Sequence, residues 1–127
     1  MKSFQNQSDK LKVILAFKKY AKLGLSNKKL SPFDAYDRIR GVCKSKSDAL
    51  DLLAVYDTLR LLHISGKDDV ISSIYAIYFD LLGRRPKKNE ITSRVIRHAY
   101  DTHRDERTVY RQLEYARKLY IALRFNK

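Results

Sequence analysis

Little in this chain can stop a helix. Four glycines and two prolines are all that its 127 residues contain, and these are the residues that punctuate regular structure most strongly. Such sparse punctuation favours long helices joined by short connections over a strand-and-turn fold. Apolar residues make up 44% of the chain, enough for one hydrophobic core and too many for a wholly disordered polypeptide. The length corresponds to one modest domain or two very small ones. The expected fold class is all-α, a compact domain of about six helices.

The apolar spacing places those helices. Lys10 to Leu23 carries Leu11, Ile14, Leu15, Phe17 and Ala21 on one stripe, with Lys12, Lys18, Lys19 and Lys22 turned outward or snorkelling. Core packing and adsorption to a membrane surface both suit a helix of this kind. Ser31, Pro32 and Asp34 form a start signal for a short second helix through Phe33, Tyr36 and Ile39 to about Gly41. A third helix opens at Ser45 or Ser47 and runs to about His63. Its leucines and Val55 cover so wide an arc that a central place in a bundle and a dimer surface fit equally well. Ser65-Gly66 then breaks the pattern. The fourth helix starts near Lys67-Asp68-Asp69, carries Val70, Ile71, Ile74, Ile77, Tyr78, Leu81 and Leu82, and meets Gly83 as a C-cap candidate. Most of the nine tyrosines, among them Tyr36, Tyr56, Tyr75, Tyr78, Tyr110 and Tyr120, fall in or beside apolar stripes and read as core or interface residues.

Charge narrows the function. Twenty-seven Lys and Arg against fourteen Asp and Glu leave a formal charge of +13, which attracts polyanions in a salt-dependent way. The excess is uneven: residues 84–127 hold 13 basic and 5 acidic side chains, so the electrostatic footprint is expected there. Arginine predominates in that segment, and its planar fork suits phosphate and base edges better than an ammonium does. The residues offer no catalytic constellation. His63, His98 and His103 lack metal-ligand spacing, and there is no glycine-rich phosphate cradle. Neither an enzyme nor a metal or organic cofactor is expected. A lone cysteine, Cys43, suits a reducing, cytosol-like compartment. No apolar run approaches the roughly 20 residues that cross a bilayer, so no membrane partner is expected.

The last third carries the functional inference. Asn89 is placed to cap a fifth helix, with Ile91, Val95, Ile96 and Ala99 on its apolar side and Arg94, Arg97 and His98 facing outward or sideways. Asp105 is a natural N-cap for a sixth helix, in which Val109, Leu113, Ala116, Tyr120 and Leu123 recur at intervals of 4, 3, 4 and 3. The complementary face presents Arg107, Thr108, Arg111, Gln112 and, further round, Tyr115. Two short-linked helices, the second bearing arginines in its first turns, suit a helix-turn-helix that enters the major groove of duplex DNA. The chain thus divides into an N-terminal helical region, 1–66, available for packing or oligomerisation, and a helix-turn-helix region, 67–127. Arg107, Thr108, Arg111 and Gln112 are the candidate base contacts. Arg84, Arg85, Lys87, Lys88, Arg94, Arg97 and Arg104 are candidate phosphate contacts, which give affinity without sequence choice.

Glu106-Arg107-Thr108-Val109-Tyr110-Arg111-Gln112-Leu113, continued by Tyr115-Ala116-Arg117-Lys118-Leu119, resembles the recognition helix of sigma-factor region 4-like domains. It is especially similar to phage-encoded regulators of late genes of the ArpU and RinA type. The resemblance implies that Ala99 packs before the turn, that Val109 is buried, and that Thr108, Arg111 and Gln112 approach DNA. It departs from the family pattern at the turn, where Asp105 replaces a serine cap, His103 a small or glycine residue, Arg104 an apolar residue and Thr102 a leucine. What it implies about function is a sequence-specific, double-stranded-DNA-binding transcriptional regulator, an activator of phage late genes in the host cytoplasm. RNA polymerase and a second copy of the chain, as a homodimer, are the partners open to its N-terminal region. The alternative is a non-specific architectural or protein-interaction module.

Overall fold

The computed structural model describes residues 7–23, 32–42, 45–79 and 89–125. Six helices and no strand occur among them: α1 (Gln7–Lys22), α2 (Pro32–Val42), α3 (Lys46–Ile64), α4 (Asp68–Ile77), α5 (Glu90–Thr102) and α6 (Glu106–Phe125). The all-α class expected from the sequence is what the chain adopts.

Local chemistry sets most of the boundaries. Ser45 caps α3, its hydroxyl accepting from the Asp48 N–H at 3.1 Å. The helix ends in a Schellman turn: Gly66 N–H donates to the His63 carbonyl at 3.1 Å and Lys67 N–H to that of Leu62 at 2.8 Å. Gly66 takes the left-handed conformation this requires, φ +75°. Helix α4 is shorter than its apolar run suggested. It closes at Ile77, with the Tyr78 N–H still reaching the Ile74 carbonyl at 2.8 Å. Leu81, Leu82 and the expected cap Gly83 lie outside the described residues, as do Ser31, Cys43 and the side chains of Leu11, Phe33 and Tyr36.

One apolar core joins the helices. Helix α6 packs against α1, α3, α4 and α5, and α3 also contacts α2 and α4. Phe17 of α1 lies at an aromatic junction, its ring 5.6 Å from Tyr78, 6.1 Å from Phe79 and 5.7 Å from Tyr120 between centroids. Tilted and edge contacts at such separations suit the ring quadrupoles. The boundary expected between residues 66 and 67 falls in the α3–α4 turn, and helices on both sides of it contribute to this core.

The buried face of α1 differs in phase from the sequence reading, and α3 buries only part of its wide apolar arc. On α1 the buried line is Val13, Ala16, Phe17, Tyr20 and Ala21, while Leu15 is 40% exposed. Lys18, expected to turn outward or to snorkel, is buried beside that line. On α3 the core side is Leu52, Val55, Thr58 and Leu62, whereas Leu50 and Leu61 are exposed. Thr58 is accommodated by donating its hydroxyl to the Ala54 carbonyl at 2.7 Å.

Candidate nucleic-acid interface

Residues 103–105 link α5 to α6. The exit from α5 is a second Schellman turn, with His103 N–H donating to Tyr100 at 3.3 Å and Arg104 N–H to Ala99 at 2.9 Å. His103 has φ 58° and ψ 39°, so it occupies the left-handed position that usually falls to glycine; histidine is among the residues that enter this region more readily than most. Asp105 then caps α6. Its carboxylate accepts from the Thr108 N–H at 2.8 Å. Hydrogen bonding from Thr108 holds the Asp105 carboxyl below its usual range, with Arg107 and Arg111 adding to the effect. Asn89, expected to cap α5 through its side chain, instead stands at φ 66° and makes no side-chain cap bond. Its carbonyl accepts the Ser93 N–H at 3.0 Å.

Helix α5 buries Val95, His98 and Ala99. Ala99 therefore packs as expected, while His98 is turned inward rather than outward or sideways. Burial lowers the His98 pKa, the Arg104 charge lowers it further, and Asp101 opposes both. The His98 Nε2 and the Arg104 Nη1 are both buried without a hydrogen-bond partner among the described residues.

The faces of α6 decide which side chains can meet a ligand. Val109, Gln112, Leu113, Ala116 and Tyr120 are buried. Arg107, Arg111, Tyr115 and Lys118 are exposed on the opposite side, with Glu114 half-buried among them. Arg107 and Arg111 are one turn apart and form no ion pair among the described residues, whereas Lys118 meets Glu114 at 3.5 Å. The result is a basic stripe beginning in the first turn of the helix, near the free amides that favour anions at a helix N-terminus.

Gln112 is a correction. It was expected at base edges, but it is 7% exposed. Its Nε2 donates to Asp69 Oδ2 at 3.0 Å and its Oε1 accepts from the Ser73 hydroxyl at 2.5 Å. It is a polar fastener between α4 and α6, directed away from the stripe. Thr108 is half-buried and engaged in the Asp105 cap. Of the expected phosphate contacts, Arg97 is exposed on α5 and Arg104 is half-buried at the turn. Arg94 is held by Glu90 at 3.1 Å with only 21% of its side chain exposed. Arg84, Arg85, Lys87 and Lys88 lie outside the described residues. Tyr110, expected in the core or at an interface, is 42% exposed.

Beside Tyr115 the structure adds a cation that sequence reasoning missed. The Lys67 ammonium lies 5.3 Å from the ring centre of Tyr115, which is 44% exposed. The Lys67 backbone is fixed from both sides: its N–H closes the α3 turn on Leu62, and its carbonyl accepts the Val70 N–H at 3.0 Å to start α4. This sets a cation at the flank of the stripe, from a residue 48 positions earlier in the chain. The nearby acids are engaged, Asp68 by His63 at 2.9 Å and Asp69 by Gln112.

Among the described residues, no group of three or more His, Cys, Asp or Glu could hold a metal ion, and no helix is long and apolar enough to cross a membrane. No protein-family model, curated protein or solved structure matches this chain.

Proposed function

We propose that the chain is a sequence-specific regulator of transcription that docks the N-terminal half of α6 in the major groove of duplex DNA. The observation that carries this reading is the outward stripe of Arg107 and Arg111, set directly opposite the buried seam of the same helix. A helix in the major groove must be anchored on one side and bear donors on the other, and bidentate arginine–guanine pairing is the commonest specific contact there. Arg97 and Lys67 would contact phosphates and fix the docking register. The resemblance of residues 106–119 to phage late-gene regulators of the ArpU and RinA type supports activation as the direction of control. On that reading the protein acts in the bacterial host cytoplasm, with RNA polymerase or a second copy as partner.

Selection from a random duplex library, followed by sequencing of the bound fraction, tests the proposal. A specific regulator enriches one motif, repeated as two half-sites if it binds as a dimer. An architectural module retains the library without enriching any sequence.

A further inference from the structure

A groove of about 460 Å³ lies between α1, the start of α3 and the last turns of α6. It is remote from the stripe: Arg107 and Ile121 are separated by about 21 Å along the helix axis. Apolar atoms of Leu15, Ala16, Ile121 and Phe125 line it, and Leu15 and Phe125 are 40% and 58% exposed. Three cations, Lys12, Lys19 and Arg124, share the lining with a single carboxylate, Asp51.

That carboxylate is already engaged. Asp51 Oδ1 accepts from Arg124 Nε at 2.6 Å and from the Tyr120 hydroxyl at 3.5 Å. Arg124 also donates to the Ser47 hydroxyl at 3.3 Å and lies 4.8 Å over the Phe125 ring, so it is fixed at the groove edge before any ligand arrives. Among the described residues, Lys19 makes only an exposed 3.6 Å pair with Asp48, and Lys12 makes no ion pair. Lys12 and Lys19 stand two turns apart on α1, about 10.5 Å.

An apolar trough bordered by cations complements a helix whose apolar face is flanked by acids. A second copy of this chain is a poor match, because each copy carries +13 and the groove is itself net positive. We propose that the groove docks an acidic amphipathic helix of a partner protein. Two carboxylates seven residues apart meet Lys12 and Lys19, and the apolar residues between them enter the groove. The site is independent of the DNA-binding reading and leaves the Arg107–Arg111 stripe open.

Fluorescence anisotropy on the full chain tests this with a labelled, end-capped helical peptide of Leu, Ala, Gln and Glu. Its glutamates occupy i and i+7 and its leucines i+3 and i+4. A scrambled peptide of equal composition, without a shared apolar face, measures attraction by charge alone. The patterned peptide is expected to bind at least roughly tenfold more tightly than the scrambled one, and Leu15→Ser and Lys12→Glu are each expected to remove most of that preference. Both substitutions are at exposed positions, and circular dichroism verifies folding. Equal binding of the two peptides, or a preference untouched by both substitutions, overturns the proposal. Self-association lost on Leu15→Ser overturns it in favour of a second copy, and binding to anionic phosphatidylglycerol vesicles lost on that substitution overturns it in favour of a lipid surface.

Discussion

Gln112 separates the two ways of reading α6, because a base contact and a core fastener respond differently to truncation. In Gln112→Ala the Ser73 hydroxyl, fully buried, loses its partner, and an unsatisfied buried polar group costs about 1–3 kcal/mol. Asp69 loses a charge-assisted bond, and the one missing methylene removes about 0.8 kcal/mol of burial. Local relaxation recovers part of this, leaving a destabilisation of about 2–4 kcal/mol. For a chain of this size that lowers Tm by about 8–16 °C. Urea unfolding followed by circular dichroism measures the loss. A double-mutant cycle with Ser73→Ala isolates the pair, with a coupling of about 1 kcal/mol expected. Below its transition the folded variant keeps its choice among DNA sequences. The reasoning is refuted if Gln112→Ala stays within about 0.5 kcal/mol of the parent while its sequence discrimination collapses.

Three further outcomes follow from the same geometry. Asp105→Ala removes the α6 cap and lowers Tm by about 2–8 °C, while Asp105→Asn retains most of the stability. Because the folded Asp105 carboxyl is depressed, its contribution is complete above the unfolded value of about 3.9 and is lost as pH falls through the folded value; acid titration of Tm in the parent and the Asn variant checks this. His98 also has a depressed folded pKa. Its stabilising effect is therefore complete above about pH 6.5, where the unfolded imidazole is neutral, and is lost as pH falls toward the folded value. His98→Gln should flatten the dependence of unfolding free energy on pH as pH falls below about 7. Finally, Lys67→Ala should reduce the slope of log affinity against log salt for duplex DNA by about 1 and leave sequence preference unchanged; filter binding across a salt series reads both.

Helix ends were largely legible because they are local events. Ser45, Gly66 and Asp105 each satisfy or release backbone groups within a few residues, and residue type reports that chemistry directly. His103 shows the limit: a non-glycine residue holds the left-handed position because the Schellman bonds around it fix the backbone. Helix phase was less legible. Polar residues read as surface, yet Gln112 is buried because α4 covers that flank of α6 with a donor and an acceptor at the right height. Lys18 is buried where a lysine-rich stripe suggested an outward face, and Leu15 takes the exposed place. Which flank a neighbouring helix covers is a tertiary fact that periodicity along one helix does not contain. The same holds for Lys67, at the start of α4, and Tyr115 of α6, brought together where those two helices pack. The stripe of Arg107 and Arg111 was readable because it lies opposite a single regular seam.

The most direct test compares the parent chain with Arg111→Ala on two DNAs, the duplex site enriched by selection and bulk duplex of random sequence. The parent is expected to prefer its site by about a thousandfold or more. Arg111→Ala should cut that preference by the roughly 1–3 kcal/mol of one base contact, with a smaller effect on bulk affinity. An equal loss on both DNAs would make Arg111 a phosphate contact, and unchanged preference in Arg111→Ala and Arg107→Ala alike would contradict the claim that this face of α6 reads DNA.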